Sequence, residues 1–240
     1  FKLDKRYVEK EGLTASNLEP SSSSSSSSLE FRYEPGAAID ILCPNSRDEV
    51  DRLLQRLGVN EVHSSRRLLI HSLDETKKVG QAYAKLCSAT PLSVRSFFQH
   101  CVDIRNGALK KGFLRMLAHY CSSETDRARL LQLCSKEASD QYQSVVKEAA
   151  LSVLDVLSVF ESCRPPLAHL IQLLPPLNAR PYSMCTSNST HMQVVFNLVR
   201  FERDEPAGRM YERLGVGTGY LSGLAAGEVF FYLKRKFHTF

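Results

Sequence analysis

Residues 177–187, LNARPYSMCTS, mark the point at which the sequence changes from a helical pattern to a strand pattern. Before them, over residues 90–174, apolar side chains recur at the three- and four-residue spacing of amphipathic helices. After Arg180, the runs 194–201 and 229–233 are rich in β-branched and aromatic residues, as in strands that face a core. The fold class therefore depends on what precedes the helices.

A strand pattern also precedes the helices. Segments 29–33 and 38–42 are β-prone, and Glu34-Pro35-Gly36 between them is a strong turn signal. Strands on both sides of a helical block predict an α+β fold, in which a β domain is interrupted by a helical insertion and its two parts pair across the gap. The predicted boundaries are a β domain at 1–89 and 176–240, with a serine-rich solvated loop at 21–28, and an all-α domain at 90–175.

Individual helices are predicted from caps and apolar spacing. Ser46 and Glu49 have the spacing of a capping box, and Gly58 can take the left-handed conformation that ends a helix. Thr90 and Pro91 offer a cap and a first turn for the next helix. Further helices are expected at 109–120, 123–134, 142–160 and 167–174, and one more strand at 68–71.

Composition limits the classes of function. The 240 residues are 43% hydrophobic and 24% charged, and no run of about 18 apolar residues offers a membrane span. A net charge of +5 falls short of a nucleic-acid footprint. Seven cysteines without a CxxC pair indicate reduced thiols in a cytoplasmic protein, and the histidines lack metal-binding spacing. We therefore expect no membrane, nucleic-acid or metal ligand, and the start at Phe1 indicates an internal fragment.

The segment Arg180-Pro181-Tyr182-Ser183 is the first candidate site. If it is extended, alternation sends Arg180 and Tyr182 to one face, and Pro181 fixes the backbone between them. A guanidinium can hold a phosphate, a phenol ring can cover a flat heterocycle, and the Ser183 hydroxyl can bond a ring nitrogen. The set suits a dinucleotide with a planar redox ring. The alternative is the start of a strand with a surface arginine and a half-buried tyrosine.

The second candidate is the run Gly215-Val216-Gly217-Thr218-Gly219. Glycines let backbone amides approach a phosphate closely, and a threonine that opens a helix adds a hydroxyl at its positive end. The run does not fit GxGxxG, because Tyr220 and Ser222 stand where the last glycine would be. It is either a pyrophosphate cradle or a structural turn before a helix.

The two motifs together resemble a known family. RPYS, followed after a strand by GVGT, is similar to the paired flavin-binding motifs of the diflavin reductases. The resemblance covers about residues 31–224 and includes the longer segments YEPGAAIDILCPNSRDEVDRLLQRL, KKGFLRMLAHYCS, RLLQLCSKEASDQY and LDVLSVFESCRPPL. It implies an antiparallel FAD-binding β-barrel with an all-α connecting domain inserted, in agreement with the order of strands and helices.

The resemblance also implies a role for each site residue. Arg180 would grip the FAD pyrophosphate, Tyr182 would stack on the isoalloxazine, and Ser183 would hydrogen-bond near the flavin N5, where hydride arrives. Pro181 would hold the backbone between them. The pyrophosphate would be bound from the other side by backbone amides and a threonine hydroxyl of Gly215, Val216, Gly217 and Thr218. The third residue of GVGT is glycine where the family often has cysteine or alanine, which should loosen the turn.

In this family, hydride passes from NADPH to FAD, and electrons then pass singly to FMN. In the branch that the longer segments resemble, FMN reduces the cobalamin of methionine synthase, which would then be the partner. The expected function is the FAD-binding segment of an NADPH-dependent diflavin oxidoreductase, with FMN and NADPH bound elsewhere in the full-length protein. The FMN and NADPH domains of the family are not expected within these 240 residues, so the chain alone is not expected to run the relay.

Two alternatives stay open. One is a non-catalytic module that docks a partner or orients neighbouring domains and binds no flavin. The other is a different flavin reductase of the same family, with cytochromes as acceptors.

Overall fold

The computed structural model describes residues 37–70, 83, 86–87, 89–105, 107–185, 193–224 and 231–234, the last of these by backbone alone. The serine-rich segment, the predicted strand at 29–33 and its turn lie outside the described residues. The described chain forms two compact units. The strand unit holds the residues up to 43, those of 179–198 and those from 217 onward, and the helical unit holds 44–178 and 199–216. The domain boundaries expected from the sequence stay a prediction.

The described strands all pair antiparallel. They are β1 (Ala38–Ile41), β2 (Arg180–Ser183), β3 (Arg200–Phe201), β4 (Arg213–Leu214) and β5 (Phe231–Lys234). In the strand unit β1 lies between β2 and β5, so strands from before and after the helical block pair as the sequence predicts. In the helical unit β3 pairs with β4. These described strands form a three-stranded sheet and a two-stranded ladder rather than a closed barrel.

Two expected strands are shorter than predicted or not formed. Of the run 194–201, Val194 makes an isolated bridge with Met184, and only the last two residues form β3. Val195 is 79% exposed, so its apolar side chain is not evidence of a buried face. In the described part of 68–71 the backbone is not a strand. A β-prone composition was therefore not sufficient for these residues to pair with another strand over their whole length.

The helical unit is built around one apolar cluster. Its elements are α1 (Arg47–Arg56), α2 (Glu61–Ser65), α3 (Val94–His100), α4 (Lys111–Ala118), α5 (Glu124–Leu133), α6 (Ser139–Tyr142), a π-helical segment (Gln143–Glu148), α7 (Val153–Val159) and α8 (Leu167–Leu173). The fully buried side chains at its centre include Leu53, Phe97, Phe98, Leu117 and Leu157. None of the helices in the described residues is long and apolar enough to cross a membrane.

The helix ends differ from the sequence prediction in detail. Gly58 has a φ of 76°, as expected for the residue that ends α1. The predicted capping box is wrong, because Ser46 makes no side-chain cap and the Glu49 carboxylate instead pairs with Arg105. The cap of α3 is Ser93, whose hydroxyl accepts the Ser96 N–H, rather than Thr90.

The single helix predicted over 142–160 is broken. The π-helical segment ends before Ala150, which has a φ of 52°, a left-handed conformation that interrupts a helix. A new helix, α7, starts after Ser152, which forms a reciprocal capping box with Asp155. Because apolar residues on both sides of the break face the same core, the periodicity of the sequence continues through it.

Candidate functional site

The pairing of β1 with β2 sets the first part of the site. Tyr182 lies opposite Ile39, and Arg180 lies opposite Ile41. Arg180 and Tyr182 therefore share the face of these two buried isoleucines, and both are half-buried. Pro181 and Ser183 are exposed on the opposite face. The strand thus brings the arginine and the tyrosine together and turns the serine away from them.

Gly217 brings the second motif to the same place. It is the second residue of α9 (Val216–Gly223) and is buried. A β-carbon added to Gly217 would come closer than 3.0 Å to Tyr182 Oη and would lie 3.3 Å from Arg180 Cγ. The glycine backbone therefore packs directly against both side chains, and only a residue without a side chain leaves room for them. Thr218 follows in the first turn of this helix, where backbone N–H groups have no acceptor within the helix.

The first residues of the glycine motif belong to the helical unit. The Gly215 N–H donates to the carbonyl of Val199 at 2.9 Å, so this amide already has an acceptor. Arg105 donates to the carbonyl of Leu214 at 3.3 Å and pairs with the buried carboxylate of Glu49 at 2.6 Å. The backbone that leads into the motif, ahead of Val216, is therefore fixed by contacts inside this unit.

Two groups whose pKa values feel the Arg180 charge, Cys43 and Tyr182, lie near it in the strand unit. Burial raises the pKa of the Cys43 thiol to about 11, although the Arg180 charge opposes this. Burial likewise raises the pKa of the Tyr182 phenol, and nearby Cys43 adds to the shift. The pKa of Tyr220 is raised by burial and by Cys43. Because the pKa of each of these groups is raised, none of them carries a charge at neutral pH.

Two neighbours of the site were not singled out from the sequence. Cys43 donates its thiol to the carbonyl of Ile41 at 3.6 Å. The ring of Phe196 meets the Tyr182 ring edge to face, with centroids 6.1 Å apart. Cys43 could have been found, because residues 39, 41 and 43 have the same parity along an extended chain. Phe196 could not have been found from the sequence, because its contact with Tyr182 depends on the path that the chain takes after β2.

Among the described residues there is no group of three or more His, Cys, Asp or Glu side chains that could hold a metal ion. The seven cysteines are free thiols.

A cation, a half-buried ring and a closely packed glycine near a helix start suit a cofactor with phosphate groups and a flat ring. Comparison with known proteins agrees with this class. The family model described as FAD binding domain matches residues 22–220, so the chain belongs to the FAD-binding domain family, whose cofactor is FAD.

Individual relatives are reductases. The chain is similar to methionine synthase reductase of Rattus norvegicus, with 39% identity over 205 residues, and to that of Homo sapiens, with 39% identity over 203 residues. It is also similar to the NADPH–cytochrome P450 reductase of Dictyostelium discoideum, with 29% identity over 199 residues. Each comparison covers 83% of this chain and 28% of the relative, so the chain spans just over a quarter of these relatives. The resemblance to the diflavin reductases that the two motifs indicated is confirmed.

Proposed function

We propose that this chain is the FAD-binding, electron-transferring segment of an NADPH-dependent diflavin oxidoreductase of the methionine synthase reductase type. The observation that carries the proposal is the packing of Gly217 against Arg180 and Tyr182. Gly217 is far from Arg180 and Tyr182 in the sequence, yet the three residues meet in one small region of the strand unit. A structural turn before a helix would not need this contact.

The described residues fit a pyrophosphate at one end of the site. Arg180 is the first residue of the paired strand β2, opposite Ile41, and its half-buried side chain lies on the buried face of that strand. Its guanidinium would grip the pyrophosphate with two parallel hydrogen bonds. Gly217 and Thr218 would add the first-turn amides of α9 and the threonine hydroxyl. Gly215 would contribute its lack of a side chain, since its amide is bonded to Val199, and Val216 would contribute its backbone.

The other end of the site fits a flat ring. The Tyr182 ring is fixed by the edge-to-face contact with Phe196 and by the Gly217 backbone, so it offers a pre-oriented stacking surface. Pro181 removes one backbone donor and fixes φ between the two site side chains. Ser183 is exposed at the end of β2, and its hydroxyl would hydrogen-bond near N5 of a flavin that extends past the strand end.

The chemistry is that of the cofactor. When bound, FAD would take a hydride from NADPH and release electrons singly to FMN, with NADPH and FMN held by other parts of the full-length protein. The final acceptor in this proposal is the cobalamin of methionine synthase, in the cytoplasm. The strand unit would belong to the FAD-binding barrel, and the helical unit would supply the connecting domain.

Flavin uptake tests the first part of the proposal. The purified chain is mixed with FAD, freed of unbound cofactor by gel filtration, and its visible spectrum is recorded. A flavin spectrum that travels with the protein is expected. A colourless protein that takes up no FAD would overturn the proposal and favour the non-catalytic module.

The electron acceptor needs a second experiment, on a protein that carries this chain together with FMN and NADPH domains. NADPH-dependent reduction of cobalamin-bound methionine synthase is compared with reduction of a cytochrome. We expect reactivation of methionine synthase. Cytochrome reduction without reactivation would assign the chain to a different reductase of the same family.

A further inference from the structure

Two cysteines of the helical unit, Cys121 and Cys163, lie directly opposite each other in an isolated antiparallel bridge. The Ser122 N–H donates to the carbonyl of Ser162 at 3.3 Å, and the Arg164 N–H donates to the carbonyl of Tyr120 at 2.9 Å. The hydrogen bonds therefore flank the pair, which occupies a non-hydrogen-bonded position. At such positions the Cα atoms lie about 4.5 Å apart and the side chains approach closely. Disulfides need a Cα separation of about 4.4–6.8 Å.

The two thiols also point to the same place. Cys163 Sγ donates to the carbonyl of Leu117 at 3.3 Å, and Cys121 Sγ donates to the same oxygen at 3.6 Å. Among the described residues, no other strand pair or isolated bridge places two cysteines opposite each other. Backbone geometry and sulfur direction therefore agree.

The two cysteines differ in access to solvent. Cys121 is partly exposed, whereas Cys163 is fully buried. Burial raises the pKa of both, that of Cys163 to about 12, so both are protonated thiols at neutral pH. Of these two cysteines, only Cys121 is partly open to a dissolved oxidant. Proximity, rather than a lowered pKa, would then favour the reaction of the second sulfur with the first.

We propose that Cys121 and Cys163 form a reversible oxidation site that closes to a disulfide in the presence of a hydroperoxide. The Cys121 sulfur attacks the peroxide, the O–O bond breaks, and the products are a sulfenic acid and water or an alcohol. The Cys163 sulfur then attacks the Cys121 sulfur, the S–O bond of the sulfenic acid breaks, the S–S bond forms, and one molecule of water leaves. The two thiols lose two electrons and two protons in total, and a dithiol restores them. This site is independent of the proposed flavin chemistry.

The disulfide would constrain the chain of the helical unit. It would close into a loop the chain that carries α5, α6, the π-helical segment and α7. This loop supplies Leu130, Val146 and Phe160 to the lining of a cavity of about 410 Å³. A cross-link limits the freedom of the unfolded chain, so oxidation should raise the midpoint of unfolding.

Peptide mapping tests the proposal on the folded chain. The reduced protein is treated with hydrogen peroxide, unfolded in the presence of an alkylating reagent, and digested for mass spectrometry. We expect two fewer alkylated cysteines than the seven of the reduced chain, and a peptide that links Cys121 to Cys163. Seven alkylated cysteines would overturn the proposal, as would overoxidation of Cys121 without the linked peptide.

Two variants sharpen the result. C163S should trap the Cys121 sulfenic acid, detected with a dimedone reagent, and should form no linked peptide. C134S is the matched control, because Cys134 is another buried thiol that donates to a backbone carbonyl, that of Lys111, at 3.2 Å. The linked peptide should persist in C134S, and its loss there would contradict the assigned pair.

Discussion

Arg213 and Asp155 form an ion pair inside the helical unit, with 2.8 Å between Nη2 and Oδ2 and side chains that are 4% and 0% exposed. The carboxylate also accepts the N–H groups of Ser152 and Met210, each at 2.8 Å. The guanidinium donates to the carbonyl of Ala150 at 2.7 Å. The pair thus ties the start of α7 to β4, whose last residue directly precedes the glycine motif.

Removal of one partner of this pair should be costly. D155A would leave a buried guanidinium without its counter-ion and α7 without its capping box, so we expect a loss of about 3–5 kcal/mol of unfolding free energy. Urea unfolding of the chain measures this loss. The matched control is D48A, which removes an exposed ion pair with Arg52 and should cost less than about 1 kcal/mol. Similar losses in the two variants would contradict the buried role.

The arginine of the strand unit should matter for FAD binding. R180A removes the proposed charge-assisted bond to the pyrophosphate, worth about 1.5–3 kcal/mol, or roughly a 10- to 150-fold rise in the Kd for FAD. Titration of the apoprotein with FAD, followed by flavin fluorescence, gives this constant. R200A changes an exposed residue at the start of β3 and should leave the Kd nearly unchanged. Equal effects would remove Arg180 from the site.

The close approach at Gly217 gives a third prediction. G217A places a β-carbon against Tyr182 Oη, so the ring must move and the affinity for FAD should fall by about 1–3 kcal/mol. G223A, near the end of the same helix, meets nothing within 4 Å and should be neutral or mildly stabilising.

A double variant checks the cause. Because the hydroxyl of Tyr182 is the atom nearest to the added β-carbon, Y182F in the G217A background should recover part of the lost affinity. If Y182F lowers the affinity equally in both backgrounds, the clash is not the reason for the loss.

The stability of the chain should fall at alkaline pH. Burial raises the pKa of Tyr211 above its ordinary value of 10.0, and the negative charge of Glu49 raises this pKa further. The folded state therefore keeps this proton when the unfolded state releases it. The contribution is complete below pH 10 and declines as the pH rises above it, by up to about 1.4 kcal/mol per pH unit. Y211F should show a flatter decline in unfolding free energy between about pH 9 and pH 11. Parallel curves for the two proteins would contradict this account.

The parts of the fold that depend on local patterns were predictable. The α1 helix, the left-handed Gly58 and the shared face of Arg180 and Tyr182 all follow from spacing along a few residues. The order of patterns alone predicted that strands before and after the helical block pair, and the structure identifies β1, β2 and β5 as these strands.

The rest depends on residues distant in the sequence. Glu49 has the spacing of a capping residue, but Arg105 and Tyr211 hold its carboxylate. Asp155 caps the start of α7 just after the break, and its ion-pair partner Arg213 comes from a later strand. In the site, the contact of Gly217 with Tyr182 joins two motifs whose separation no local pattern encodes. The sequence predicted that Gly217 helps to bind the pyrophosphate and loosens the turn, and the structure adds that it leaves room for the Tyr182 phenol.

The order of strands in the sheet has a kinetic consequence. β1 near the start of the described chain pairs with β2 and β5, both of which come after the whole helical block. Closing such long loops costs chain entropy before any pairing energy is returned, so the sheet should form late in folding. During synthesis on the ribosome, β1 would wait until β2 and then β5 emerge. A chain truncated before β2 could therefore fold helices, but β1 would have neither of its partner strands.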